Sequence, residues 1–185
     1  MMRKRLLSLA TTLIISSSLV CNLLPESIIA DFSTVVSAKE PATSGQCGDT
    51  AYWQINSNPE GYTLIISGSG AMYDYDYDTT PWDINHYSDR ITDIEVKEGI
   101  TRIGNYAFDR YRENTLTTVN LARSIEEIGE SAFEFNYNLK EINLPYHIRS
   151  IEDAAFCGTS ISNIHFPNGL KSIGLSAFKG CEFNH

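Results

Sequence analysis

ITDIEVKEGITRIGNYAF (residues 91–108), LTTVNLARSIEEIGESAF (116–133), LKEINLPYHIRSIEDAAF (139–156) and ISNIHFPNGLKSIGLSAF (161–178) align with one another without an internal gap. Their starts lie 25, 23 and 22 residues apart, and the length variation falls wholly after the closing Phe. Six apolar columns run through all four: Ile91, Leu116, Leu139, Ile161; Ile94, Val119, Ile142, Ile164; Val96, Leu121, Leu144, Phe166; Ile100, Ile125, Ile148, Leu170; Ile103, Ile128, Ile151, Ile173; and Phe108, Phe133, Phe156, Phe178. A seventh column is invariant alanine, at Ala107, Ala132, Ala155 and Ala177.

Self-similarity at a fixed period marks a repeat architecture, because one such unit cannot bury its apolar face alone and does so against its neighbours. The apolar pair two residues apart, Ile94 and Val96 and their equivalents, has the period of a strand with one buried face. The expectation is therefore a β-rich repeat solenoid. Each unit contributes one short strand, and each column stacks on its copy in the next coil.

These motifs resemble the leucine-rich repeat superfamily, and more closely its BspA-like subgroup of bacterial surface proteins, whose units read L-x-x-L-x-L-P-x-x-L-x-x-I-G-x-x-A-F. The resemblance covers Ile91 to Cys181, and SGQCGDTAYWQI, TLIISGSGAMYDY and TPW carry it over Ser44 to Trp82. It implies a leucine-rich-repeat arc of four units of 22–25 residues, exposed at the surface to bind host proteins, glycans or other cells through a repeat face. Glu152 departs from the usual glycine (Gly104, Gly129, Gly174), and Lys97 and Ala122 from the usual proline (Pro145, Pro167). Were the glycine site to require positive φ, Glu152 would be strained. The sequence predicts an ordinary backbone there, with glycine merely favoured.

Upstream of the repeats, Tyr52-Trp53-Gln54-Ile55 and Tyr62-Thr63-Leu64-Ile65-Ile66 are β-rich runs joined by a turn-rich connector at 56–61. They read as a hairpin, with the job of capping the first coil. In Met72-Tyr73-Asp74-Tyr75-Asp76-Tyr77-Asp78 the three carboxylates copy the opening of an EF-hand loop, but Thr79 stands where its glycine belongs and Asn85 where its glutamate belongs. That excludes an EF-hand. A looser Ca²⁺ site, a sugar-stacking tyrosine platform and a plain solvated loop stay open for this run, and cap packing is expected of Trp53 and Trp82.

At the amino end, Arg3-Lys4-Arg5 precedes a nineteen-residue stretch from Leu6 to Leu24, twelve of whose residues are apolar, and Pro25 follows. Basic start, apolar centre and small-residue exit are the order of a secretory signal peptide. The seven Ser, Thr and Asn residues inside the stretch make a poor membrane span. Val36-Ser37-Ala38 is a better cleavage site than Ile28-Ile29-Ala30, which puts the mature start at Lys39. The chain divides into a signal peptide at 1–38, a linker with an N-terminal β-hairpin cap at 39–88, and leucine-rich repeats at 89–185, with units starting at 91, 116, 139 and 161. No further apolar segment of spanning length follows residue 38, so a secreted or cell-surface product is expected, with no stable membrane span after cleavage.

The full chain carries a formal net charge of −9, and removal of 1–38 leaves 11 basic against 21 acidic groups. This balance argues against nucleic acid as a partner and draws in cations or cationic partners. His86, His147, His165 and His185 are scattered, and no metal, nucleophile-elbow or phosphate-loop signature occurs. The sequence accordingly predicts no catalytic site, no metal and no cofactor. Cys47, Cys157 and Cys181 remain after cleavage and are read as buried free thiols, Cys157 and Cys181 being adjacent but out of register.

Ligand binding, if it uses the repeats, falls to the strand side chains that packing does not need. Alternation sets Asp93, Thr118, Glu141 and Asn163 in one outward column and Glu95, Asn120, Asn143 and His165 in the next. The partner class is an extracellular protein or glycan. The competing reading is a structural spacer, or the truncated remnant of a larger surface protein, open to self-association through an uncapped last repeat.

Overall fold

The computed structural model describes residues 41–109 and 115–183; the signal segment and its cleavage sites lie outside them. Three antiparallel strands come first: β1 (Ser44–Gln46), β2 (Thr50–Ser57) and β3 (Tyr62–Ala71). In β2 the alternation is strict, with Ala51, Trp53 and Ile55 buried and Tyr52, Gln54 and Asn56 turned out. The expected hairpin is thus present, and longer than the β-rich runs alone indicated.

After β3 the chain forms a one-turn helix, α1 (Pro81–Ile84), then a 3₁₀ turn at Ser88–Arg90. Thr80 caps α1 by accepting from the Asp83 N–H, and Pro81 occupies the first turn, where its missing N–H costs nothing. The repeats supply β4 (Ile91–Val96), β5 (Ile100–Ile103), β6 (Thr118–Asn120), β7 (Glu127–Ile128), β8 (Ser150–Ile151) and β9 (Ser172–Ile173).

The expectation of one strand per unit is corrected to two parallel ladders. One runs β3–β4–β6 and reappears as the Glu141–Asn163 bridge; the other runs β3–β5–β7–β8–β9. The second ladder forms because the Ile103, Ile128, Ile151 and Ile173 column is itself flanked by extended residues in register across the units. β3 serves both ladders: Tyr62–Ile66 pairs with β4, and Gly70 and Ala71 pair with β5. The bend between them falls on Gly68 and Gly70, both at positive φ, and a Cβ on Gly68 would stand 2.1 Å from the Thr50 carbonyl oxygen.

The core follows five of the six predicted columns through the first three units, where Ile91, Ile94, Ile100, Ile103, Phe108 and their copies are buried; in the remaining column Val96 is buried but Leu121 and Leu144 are only partly so. In the fourth unit the expectation fails. Ile173 is 47% exposed and Phe166 40%, although Ile161 and Ala177 remain buried. The reason is positional: each column is covered by the unit that follows, and the described residues after the fourth, 179–183, form no further unit.

A second column runs through the aromatics. Trp82 lies 5.6 Å from Phe108, stacked at 24°, and Phe108, Phe133, Phe156 and Phe178 continue at 5.2 to 5.3 Å. The Trp82 indole N–H donates to the Ala107 carbonyl at 3.1 Å, so Trp82 is the first rung of the phenylalanine stack. Trp53 meets it edge-on at 6.2 Å.

Candidate functional site

The eight outward residues lie on the ladder through β4 and β6. Asp93 is in register with Thr118, Glu95 with Asn120, and Glu141 bridges to Asn163. Thr118, Asn120, Glu141, Asn143, Asn163 and His165 are exposed, whereas Asp93 and Glu95 are half-buried. Their neighbours explain the difference: Asp93 accepts from the Asn58 amide at 2.9 Å and the Thr92 hydroxyl at 2.7 Å, and Glu95 is paired with Lys97.

The hairpin continues this face, which repeat alignment alone does not reveal. Through β3, Asn56 and Thr63 join the row of Asp93 and Thr118, and Gln54 and Ile65 join that of Glu95 and Asn120. Tyr52 stands opposite Ser67, one step further along, with its ring 50% exposed. The signal was present in the period-two alternation of TAYWQINS. The surface is mainly carboxamides, carboxylates and hydroxyls. Such groups donate and accept hydrogen bonds.

The Tyr-Asp run does not assemble as a cation site or a single tyrosine platform. Asp74 turns to Arg102 at 2.6 Å and accepts the Asn105 N–H at 2.8 Å. Burial raises the Asp74 pKa, but the Asn105 N–H and the Arg102 guanidinium outweigh it and hold the carboxyl below its ordinary value. Tyr75 packs inward, 5.8 Å from Trp82, while Tyr73 and Tyr77 point out. The Tyr73 hydroxyl donates to Asp49 at 3.2 Å.

On the second ladder a shallow depression of about 260 Å³ is lined by Arg102, Asn105, Glu127, Glu130, Glu152 and Asp153. Arg102 spans Asp74 and Glu127, both at 2.6 Å, and so sets one positive charge between two carboxylates at one end of it. Among the described residues no group of three or more His, Cys, Asp or Glu side chains is placed to hold a metal ion.

The three cysteines among the described residues are free, but of these only Cys47 is fully buried, and burial pushes its thiol pKa up to about 12. Cys157 and Cys181 are half-buried, which corrects the expectation for them. Cys181 belongs to the fourth unit, where cover is incomplete; its thiol points inward to the Phe156 carbonyl at 3.4 Å and meets the Thr159 hydroxyl at 3.2 Å. Cys157 follows its unit's Phe directly, at the surface end of that turn.

A family model described as BspA type Leucine rich repeat region matches residues 85–185, in six copies. Among solved structures, the chain is similar to a leucine-rich repeat protein from Eubacterium ventriosum, with 29% identity, a TM-score of 0.64 and coverage of 76% of this chain and 36% of that one. It also matches a leucine-rich repeat protein from Bacteroides ovatus (21% identity, TM-score 0.48, 70% and 37% coverage) and the T. pallidum leucine-rich repeat protein (23%, 0.49, 71% and 66%). The chain thus spans little more than a third of the length of the Eubacterium protein. No protein of curated function matches it. Among the described residues no helix is long and apolar enough to cross a membrane.

Proposed function

The chain belongs to the BspA-type leucine-rich repeat family, and from that premise we propose a secreted, non-catalytic recognition module that binds an extracellular protein or glycan through its outward strand face. The contact residues are Asp93, Glu95, Thr118, Asn120, Glu141, Asn143, Asn163 and His165. In this reading residues 1–38 direct export, the hairpin within 39–88 caps the solenoid and the units from 91 onward carry the face. The observation that carries it is the register of Asp93 with Thr118 and of Glu95 with Asn120, which lines up polar side chains that the core does not use. The chain is tested against arrays of extracellular proteins and glycans beside a variant with Glu95, Asn120, Asn143 and His165 changed to Ala. Binding that disappears in the still-folded variant supports the reading; binding retained in full by the variant overturns the placement.

A second reading, a spacer that associates with another copy of itself, draws on one observation. In the fourth unit Leu175 is 79% exposed, and Ile173, whose column is buried in the first three units, is 47% exposed. Sedimentation that shows a concentration-dependent dimer, lost in Leu175→Asp, favours it. A strictly monomeric species removes it.

A further inference from the structure

We propose that the hairpin end of the strand face is a binding site for a neutral oligosaccharide, with Tyr52 and Tyr73 as its stacking rings and Asp49 as its hydrogen-bond acceptor. The inference rests on the recognition reading above and names the ligand class. Three observations carry it.

Tyr52 (50% exposed) is the large aromatic that prolongs the rows of the strand face, and Tyr73 (42% exposed) is tied to the same end of the hairpin through Asp49. An exposed ring offers an apolar face to the C–H groups of a sugar while a neighbouring carboxylate accepts from its hydroxyls. Partial desolvation and the Asp49 hydrogen bond push the Tyr73 phenol pKa up, with a smaller contribution from Tyr52. Tyr73 therefore stays a neutral donor and acceptor at physiological pH.

The strip of β3 beside these rings is bare. Gly68 and Gly70 flank Ser69, and the Ser69 and Thr50 hydroxyls are within 3.1 Å of each other on the outward side. A strip without large side chains, at the bend of β3 and with hydroxyl partners, admits a ring laid across the strand. From there the rows lead to Gln54, Asn56 and Asn120, carboxamides that both donate and accept, which suits hydroxyl groups without fixed charge.

The charge is selective as well. The chain carries a net −9, and two cations by this face are ion-paired, Lys97 with Glu95 and Arg102 with Asp74 and Glu127. Anionic sugars are repelled and neutral ones are not.

The full chain is titrated with cellohexaose, maltohexaose and mannohexaose by calorimetry, beside Tyr52→Ala, Tyr73→Ala, Tyr52→Trp and, as a surface control, Tyr146→Ala. The expected result is binding of at least one hexasaccharide, weakened tenfold or more in both alanine variants, retained in Tyr52→Trp and unchanged in Tyr146→Ala, with all variants matching the parent in circular dichroism. No binding of any hexasaccharide by the parent, or equal binding by the Tyr52→Ala and Tyr73→Ala variants, overturns the inference. The recognition reading is judged separately, since a protein ligand lost in the four-residue variant would sustain it even if every hexasaccharide failed.

Discussion

At the scale of single residues, the repeat's glycine has a reason different from the one its residue type suggests. Gly104, Gly129, Glu152 and Gly174 all lie outside the positive-φ region, as predicted from the tolerance of Glu152. What glycine provides is close approach: a Cβ on Gly129 would stand 2.5 Å from the Asn105 side-chain oxygen, and one on Gly174 2.4 Å from that of Asp153. Those oxygens cap the next unit, accepting from the N–H of Glu130 and Leu175. Glu152 follows a unit that carries Glu130 at this place, so no short capping side chain crowds it. Gly129→Ala is therefore expected to cost about 1–3 kcal/mol in urea unfolding, while Glu152→Ala stays within about 0.5 kcal/mol; equal effects would sink the explanation. The positive φ falls two positions later, on Tyr106, Ser131, Ala154 and Ser176, at 50° to 57°. There the turn aims each N–H of the first three at the following unit, as in Tyr106 to Glu130 O at 2.9 Å. Residue type could not disclose this, since a Tyr, two Ser and an Ala share no left-handed preference. Cys47 gives a second prediction. Its thiol ionises near 9.0 when unfolded and near 12 when folded, so the unfolded chain loses the proton first as pH rises. The stabilisation is whole below pH 9 and is lost between 9 and 12, at a slope of about 1.4 kcal/mol per pH unit. Cys47→Ala should remove that part of the alkaline decline in stability.

At the scale of elements, the two ends of the phenylalanine stack are unequal, and their substitution should show it. Trp82 is fully buried between Trp53, Tyr75 and Phe108, whereas Phe178 is only partly covered. Trp82→Ala is expected to lower stability by about 3–5 kcal/mol, and Phe178→Ala by less than half of that, because it leaves a gap already open to water. Denaturant midpoints measure both; a larger loss at Phe178 would mean that the stack is anchored from the other end. The elements were unevenly legible. Four gap-free copies disclosed the columns, and alternation disclosed β2, because burial on one face writes its period into the sequence. The role of Trp82 was less visible, since TPW shares only an aromatic with the Ala-Phe it mimics, and its α1 turn is too short to show a period. The second ladder was missed because two-residue strands such as β7 and β8 carry no alternation of their own. Their pairing is imposed by the stacking of neighbours. The outward columns were legible as a face, but their extension across β3 was not, because it depends on which strand the hairpin lays beside β4.

At the scale of the whole molecule, a repeat array holds each unit mainly through its neighbours, so local stability should follow cover. The first unit is clasped by β3 on both ladders and by Trp82 on the stack. The fourth rests on one neighbour among the described residues, with Ile173 half in water and Ser172 exposed beside it. Hydrogen exchange read by mass spectrometry is then expected to be graded. Amides of β3, β4 and β5 should exchange slowest, β7 and β8 faster, and β9 fastest. A flat profile would mean that the array opens as one cooperative body, with the interfaces between units stronger than any difference in cover. The same measurement bears on association. Were a second copy to cover the fourth unit, protection of β9 would rise with protein concentration while that of β4 stayed fixed, because mass action stabilises only the covered segment. Were a sugar to bind at the hairpin instead, added hexasaccharide would slow exchange in β2 and β3 and leave β9 unchanged. The two ends of one array thus report on two different partners, and the gradient between them tells which end a ligand holds.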